Sequence, residues 1–317
     1  MSRGIFEELS VLVFLGSIAI VYVLAVGIVV GWAVRKLNLA PTTNKSAARV
    51  WLSRVILSLA CLGIACFAYG HFIEPHWLSV SHIKIASSKL PKGSRPVRIV
   101  HISDLHSDNE PLLEGKLPQA IAAEKPDLIV FTGDSINNLD GLPIFRQCLT
   151  ELARIAPTYT VKGNWDAWYW RNLELFEGTG AHELNGTSAV VNVNGIPIWI
   201  AGVAVENERS MEQAIASAPP EAFKVFLYHY PDLIQEVAER KVDLYCAGHT
   251  HGGQVALPLY GALITFSKYG KKYESGLYRE GETWLYVNRG VGLEGGNAPR
   301  VRFGARPEVT VIEVSPN

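Results

Sequence analysis

Five short polar motifs carry the residues of this chain whose types and spacing suit catalysis. Asp104 and His106 stand two apart in "ISDLH", Asp134 ends "TGD", Asn164 lies in "KGNWD", His229 in "YHYP", and His249 and His251 in "GHTHGGQ". Any one of these is common by chance, and a lone histidine is more often structural than a ligand. Together they offer carboxylates, an amide oxygen and imidazoles, with no thiol needed. That donor set suits hard and borderline divalent ions such as Mn²⁺, Fe²⁺, Zn²⁺ or Mg²⁺. Seven donors exceed the roughly three or four that one catalytic ion takes from protein, so the surplus predicts two ions. A pair about 4 Å apart needs a bridging carboxylate, can share a hydroxide, and can clamp a phosphoryl group for in-line attack. Gly133, Gly163, Gly248, Gly252 and Gly253 let the backbone turn tightly around so crowded a centre.

The elements that must position these motifs are short apolar runs. "VRIVHI", "DLIVF", "TYTV", "KVFLY" and "VDLYCA" each stop at one of the motifs. Runs with little alternation fit strands covered on both faces. Helices are expected at 117–124, 142–154 and 232–239, which makes the segment an α/β domain with its polar residues gathered beyond strand ends. Later strands are expected in "SAVVNVNGIPIWIAGV", "GETWLYVNRG" and "PEVTVIEV", the first with a hairpin turn at Asn194-Gly195.

Upstream of this domain the composition changes. No Asp, Glu, Lys, Arg or His lies between Glu8 and Arg35. The run Ser10 to Val34 exceeds the roughly 20 residues that cross a bilayer as a helix, and Val55 to Phe72 is close to that length. The first run is too long, and its flank too acidic, for a signal peptide. Between the runs lie Arg35, Lys36, Lys45, Arg49 and Arg54 without an acid. The positive-inside rule puts that loop in the cytoplasm and the domain after Glu74 on the outer side of a plasma or inner membrane. The chain thus divides into a two-helix anchor, residues 1–74, a linker and first strand, 75–96, and a catalytic domain, 97–317. With 29 basic and 30 acidic side chains the net charge is −1, which gives no field to attract nucleic acid. No nucleic-acid partner is expected. Cys148 and Cys246 sit in apolar surroundings and read as small buried residues.

In their order, "ISDLH", "TGD", "KGNWD", "YHYP" and "GHTHGGQ" resemble the calcineurin-like metallophosphoesterases. The later "YESGLY", "VNRGVG" and "RPEVTVIEV" are similar to their membrane-tethered bacterial branch. The resemblance covers about Val97 to Val314 and implies a four-layer αββα sandwich with a two-metal centre at one edge of the paired sheets. It implies that Asp104, His106 and His251 hold the first ion, that Asn164, His229 and His249 hold the second, and that Asp134 bridges them. Mn²⁺ is the favoured metal. A bridging hydroxide, governed by Asp134, Asn164 and His229 through the ions, is then the nucleophile on a phosphodiester or pyrophosphate, one that a membrane anchor would suit to be lipid-linked.

One position departs from that pattern. Many relatives carry histidine after the motif asparagine, where it meets the phosphate and helps the leaving group depart. Here Trp165 occupies it, and an indole N–H cannot serve as an acid. Asp166 is left without its usual partner. Three readings follow: a substrate with a good leaving group, a proton from elsewhere, or metal binding without efficient turnover. The first is preferred, since loss of a general acid costs about 10²- to 10⁴-fold with a poor one. A branch that hydrolyses the pyrophosphate of UDP-2,3-diacylglucosamine in lipid A synthesis also departs here, but its cytoplasmic substrate conflicts with an outer domain. A noncatalytic metal-binding interaction module is a further alternative.

Smaller assignments complete the reading. Asn164, Trp165, Asp166, Gln254 and Arg289 are candidate substrate contacts, with Asn137 and Asn138 beside them. Trp165, Trp168, Tyr169 and Trp170 either pack a helix start, cap the site's mouth or touch the membrane interface. His101 is expected between the sheets. His71, His76 and His82 show no metal spacing, and His182 has no assigned role.

Overall fold

The computed structural model describes residues 3–37, 39, 46–295 and 299–317; Lys45 of the basic loop lies outside the described residues. Both apolar runs are helical. Helix α1 covers Arg3–Lys36, running past the expected span at both ends, and α2 covers Ala47–Phe72, starting eight residues before the expected run and ending with it. Neither contains proline, and α2 starts where the Ser46 side chain accepts from the Arg49 amide. Only 6% of each apolar window is buried in the protein, so their side chains face outward as in lipid-exposed helices. The hydroxyl of Tyr22 on α1 bonds the Ala60 carbonyl on α2 at 3.1 Å.

After α2 the chain forms β1 (Ser79–Ser87), β2 (Val97–Ile102), α3 (Leu117–Ala123), β3 (Leu128–Phe131), α4 (Leu142–Ile155), β4 (Thr158–Thr160), α5 (Asn164–Tyr169) and β5 (His182–Glu183). It continues through β6 (Thr187–Val193), β7 (Ile196–Gly202), α6 (Met211–Ile215), β8 (Phe223–Leu227), α7 (Ile234–Glu239) and β9 (Leu244–Ala247). The end comprises β10 (Ala256–Leu257), β11 (Gly261–Ala262), β12 (Gly276–Glu280), β13 (Thr283–Val287) and β14 (Glu308–Pro316). Two six-stranded sheets result, ordered β1-β14-β2-β3-β4-β5 and β12-β13-β9-β8-β7-β6.

Strand side chains alternate between two buried faces. On β2, Ile99 faces inward with Val130, Ile198, Val225 and Leu244 of both sheets. Its neighbours Val100 and Ile102 face outward against Leu117 and Ile121 of α3 and Phe145 and Leu149 of α4. The second sheet turns Trp199, Phe226 and Tyr245 toward Met211 of α6 and Ile234 and Val237 of α7. This double burial explains the unalternating apolar runs, and its layers are the αββα sandwich that the resemblance implies. His101 sits fully buried on the inner face, bonded to Thr132 Oγ1 at 2.9 Å and edge-on to Tyr286 of the other sheet.

The segment expected as linker and first strand contains β1, which pairs in parallel with β14 over all nine of its residues. The sheet therefore begins at Ser79, upstream of the expected boundary at 97. Asn194 and Gly195, both at positive φ, make the tight turn between β6 and β7.

The two-helix segment docks on this sandwich at defined points. Glu74, buried just past α2, accepts from the amides of Gly304 at 3.0 Å and Ala305 at 2.7 Å, and the Arg302 amide bonds the Gly70 carbonyl at 2.9 Å. Replacing Glu74 with alanine leaves the buried Ala305 N–H unpaired, at about 1–3 kcal/mol, and frees the exposed Gly304 amide as well. Denaturant unfolding of the detergent-solubilised full chain is expected to show the Glu74→Ala midpoint clearly reduced; an unchanged midpoint contradicts the docking role.

Candidate metal centre

Strand ends from both sheets converge at one edge of the sandwich. Asp104 and His106 follow β2, Asp134 follows β3, Asn164 opens α5 after β4, His229 follows β8, and His249 and His251 follow β9. Five of these seven hold positive φ angles: Asp104, His106, Asp134, His249 and His251. Left-handed backbone at a residue with a side chain costs about 1–3 kcal/mol and persists only where its surroundings enforce it. The contacts are too close for larger residues between them. A Cβ on Gly163 would stand 2.2 Å from Asp134 Oδ1, and one on Gly248 would stand 2.4 Å from Asp104 Oδ2.

The side chains meet in two overlapping groups. Asp104, His106 and His251 form one, with His251 Nε2 at 3.3 Å from Asp104 Oδ1. Asp104, Asp134 and His229 form the other, with His229 Nε2 at 3.3 Å from Asp134 Oδ2. Asp134 Oδ2 also lies 3.5 Å from His106 Nε2, so this carboxylate stands between a donor of each ion's expected set. His249 is the most open of the seven. Its ring packs 5.2 Å from that of His229 and its Nε2 faces the Phe266 carbonyl at 3.4 Å, which leaves Nδ1 as the free donor.

Buried polar atoms normally find partners. Here His106 Nε2, His229 Nε2, His251 Nε2 and Asn164 Oδ1 are buried with none. Four orphaned donor atoms beside two buried carboxylates fit a pair of cations, which would satisfy all of them at once.

The surrounding hydrogen bonds fix how these groups are presented. Asn137 Oδ1 meets His106 Nδ1 at 3.0 Å, leaving Nε2 as the lone-pair atom. The Thr132 carbonyl does the same for His229 Nδ1 at 2.7 Å. Asp166 is fully buried and accepts from the amides of Asp134, Ser135 and Gly163, each at 2.9 Å. It locks the third motif onto the second. This corrects its expected place as a substrate contact without a partner.

Two other substrate candidates have structural work instead. The Gln254 amide grips the Glu294 backbone from both sides, at 2.8 Å each way. Arg289 is engaged by Glu308 at 3.1 Å and the Arg306 carbonyl at 3.2 Å. Asn138 caps the turn at Gly141. Trp165 does stand at the centre, its ring edge-on to His106 at 5.2 Å and its indole N–H donating to Glu294 at 3.0 Å. The aromatic cluster divides: Trp170 packs on the core and bonds the Ile136 carbonyl, while Trp168 and Tyr169 are exposed. Glu294, 4.0 Å from His251 Nε2, escaped the sequence reading because nothing in "VGLEGG" marks it.

Burial and neighbours set unequal proton affinities. Burial alone would raise the Asp104 carboxyl, yet His251, His229 and His106 hold it well below its ordinary range. Burial pushes Asp134 up to about 6 against the pull of His229. Burial would lower His229, but Asp134 and Asp104 more than reverse this and raise it to about 10. Burial and the His229 charge lower His249 to about 3. In the metal-free chain His229 is thus protonated at neutral pH, and an ion must displace that proton. Mn²⁺ uptake is expected to release a proton at pH 7 and to strengthen as pH rises toward 10. Below pH 6, where Asp134 also takes a proton, it weakens further. Calorimetry in buffers of different ionisation enthalpy checks this; uptake independent of pH contradicts it.

The chain has relatives. Residues 97–253 match the calcineurin-like phosphoesterase family. The chain is 34% identical over 244 residues to the metallophosphoesterase YkuE of Bacillus subtilis, covering 72% of this chain and 82% of that one. It is 33% identical over 239 residues to the phosphodiesterase YaeI of Escherichia coli, covering 69% and 82%. It is also 26% identical to a transmembrane protein with a metallophosphoesterase domain from Danio rerio, covering 73% of this chain and 56% of that protein. Motif order, buried donor cluster and these likenesses agree: the chain belongs to the calcineurin-like metallophosphoesterases, metal-dependent hydrolases of phosphoesters.

Proposed function

We propose that this chain is a membrane-anchored hydrolase of phosphodiesters or pyrophosphates whose substrate has a good leaving group. The observation that carries the reading is the set of partnerless donor atoms on His106, His229, His251 and Asn164 around Asp104 and Asp134. Asp104, His106 and His251 would hold one divalent ion and Asn164, His229 and His249 the other, with Asp134 shared and Mn²⁺ favoured. When bound, the ions supply positive charge for phosphoryl oxygens and acidify water.

The chain's own residues do the rest. Asn137 and the Thr132 carbonyl keep the His106 and His229 lone pairs directed inward. The Trp165 amide donates to Asp134 Oδ1 at 2.8 Å and orients that carboxylate. Beside Asn164, the Trp165 side chain walls the site and directs its N–H to Glu294. It has no proton to give a departing oxygen, so poor leaving groups are disfavoured.

The contacts between the helices and the domain support one sidedness. Ser10, near the start of α1, bonds Tyr260, and α2 ends at the docked Glu74. Arg35 and Lys36 close α1 and Arg49 stands in the first turn of α2, at the helix ends opposite those contacts; this supports a cytoplasmic basic end, an outer catalytic domain and access to lipid-linked substrates.

With Mn²⁺, the solubilised protein is expected to hydrolyse bis-p-nitrophenyl phosphate, and Asp134→Ala to reduce the rate at least a thousandfold, on the order expected for losing a metal-held transition state. Full activity in Asp134→Ala contradicts the shared-carboxylate assignment. Across aryl phosphodiesters, Trp165→His should help the poorest leaving groups most, by about 10²-fold or more; a uniform effect contradicts the leaving-group account.

A further inference from the structure

The start of the first membrane helix reaches close to the metal centre. Glu7 of α1 is 5% exposed, its carboxylate accepting from the Thr265 hydroxyl at 2.9 Å and the Thr265 amide at 3.3 Å. Three residues on, Ser10 accepts from Tyr260 at 2.8 Å. Tyr260 lies in the turn between β10 and β11, and Thr265 in the loop after β11, whose Phe266 carbonyl faces His249 Nε2 at 3.4 Å. A carbonyl can only accept, so His249 must carry its proton on Nε2 and present Nδ1 as the lone-pair donor.

That carbonyl is held in an unfavourable conformation. Phe266 has φ +54 and a 68% exposed ring, a left-handed backbone that a bulky residue adopts only where its surroundings enforce it. The residues on either side are gripped by carboxylates. Upstream, Glu7 holds Thr265. Downstream, Asp232 accepts from the Ser267 hydroxyl at 2.6 Å and from the Lys268 amide at 3.2 Å. Asp232 belongs to the catalytic domain, three residues past His229, whereas Glu7 belongs to the anchor.

We infer that Glu7 is a positioning residue for the metal centre: through Thr265 and Phe266 it fixes the orientation and tautomer of His249, and so couples the membrane helix to the second ion. The inference rests on His249 being a ligand of that ion. It goes beyond the anchor's role in localisation, because it makes the start of α1 part of the site's support. A chain without α1 would keep the first ion's donors and lose the strut behind the second.

The test is Mn²⁺ titration of the full chain in detergent, read by calorimetry and by the exchange-coupled electron paramagnetic resonance signal of a paired centre. Wild type is expected to bind two ions. Glu7→Ala should weaken the second by about tenfold to a hundredfold, the range for removing an outer support of a ligand, with the first unchanged and the coupled signal reduced. Glu7→Gln, whose amide oxygen still accepts from Thr265, should retain most of the affinity. In a His249→Ala background, Glu7→Ala should add no further loss. Wild-type affinities for both ions in Glu7→Ala overturn the inference, as does equal weakening of both or an additive loss in the double variant. A wild-type chain that takes fewer than two ions contradicts the two-metal reading itself, before any Glu7 variant is compared.

Discussion

Two carboxylates and three imidazoles are buried together, and the Nε2 atoms of those imidazoles have no hydrogen-bonding partner; the rest of the molecule is organised around that arrangement. Burying ionisable groups in this way is unfavourable unless opposite charge compensates them. The Asp134 carboxyl is raised and the His229 imidazole is raised further. Cations in the same space would replace those protons and relieve the unpaired donors together. A centre of this kind stabilises the protein only when loaded, and the scaffold must hold it open beforehand.

The scaffold does so by meeting the site from both sheets. Three donors follow β2 and β3 of one sheet, and three follow β8 and β9 of the other, with Asn164 arriving after β4. The turns that carry them are strained, and the strain is held by short bonds that involve no donor atom. Asp166 closes three amides over the Asp134 turn. Arg302, fully buried, ties the carbonyls of Arg289, Gly292 and Ala305 beneath His251. Trp165, Glu294 and Gln254 form a connected wall beside His106 and His251. The exchange of histidine for tryptophan therefore leaves a braced site that lacks one proton donor.

Much of this was legible in the sequence because burial on two faces writes apolar runs, and the donors stand directly at their ends. The strand at 79–87 was harder to read: His82 and Lys84 interrupt its apolar pattern, and its pairing with β14 lies more than two hundred residues away. Asp166 was misread because its neighbour drew attention to substrate, while its partners are backbone amides that no motif displays. Glu294 and Glu7 were invisible for a similar reason. Each reaches the site only through folding, one from a glycine-rich loop and one from the start of the apolar helix α1.

The most direct measurement of the central claim is anomalous scattering from crystals of the full chain grown with Mn²⁺. Two peaks about 4 Å apart are predicted, one among Asp104, His106 and His251, the other among Asn164, His229 and His249, with Asp134 between them. A single peak, or a pair that leaves Asp134 on one ion alone, would contradict the account.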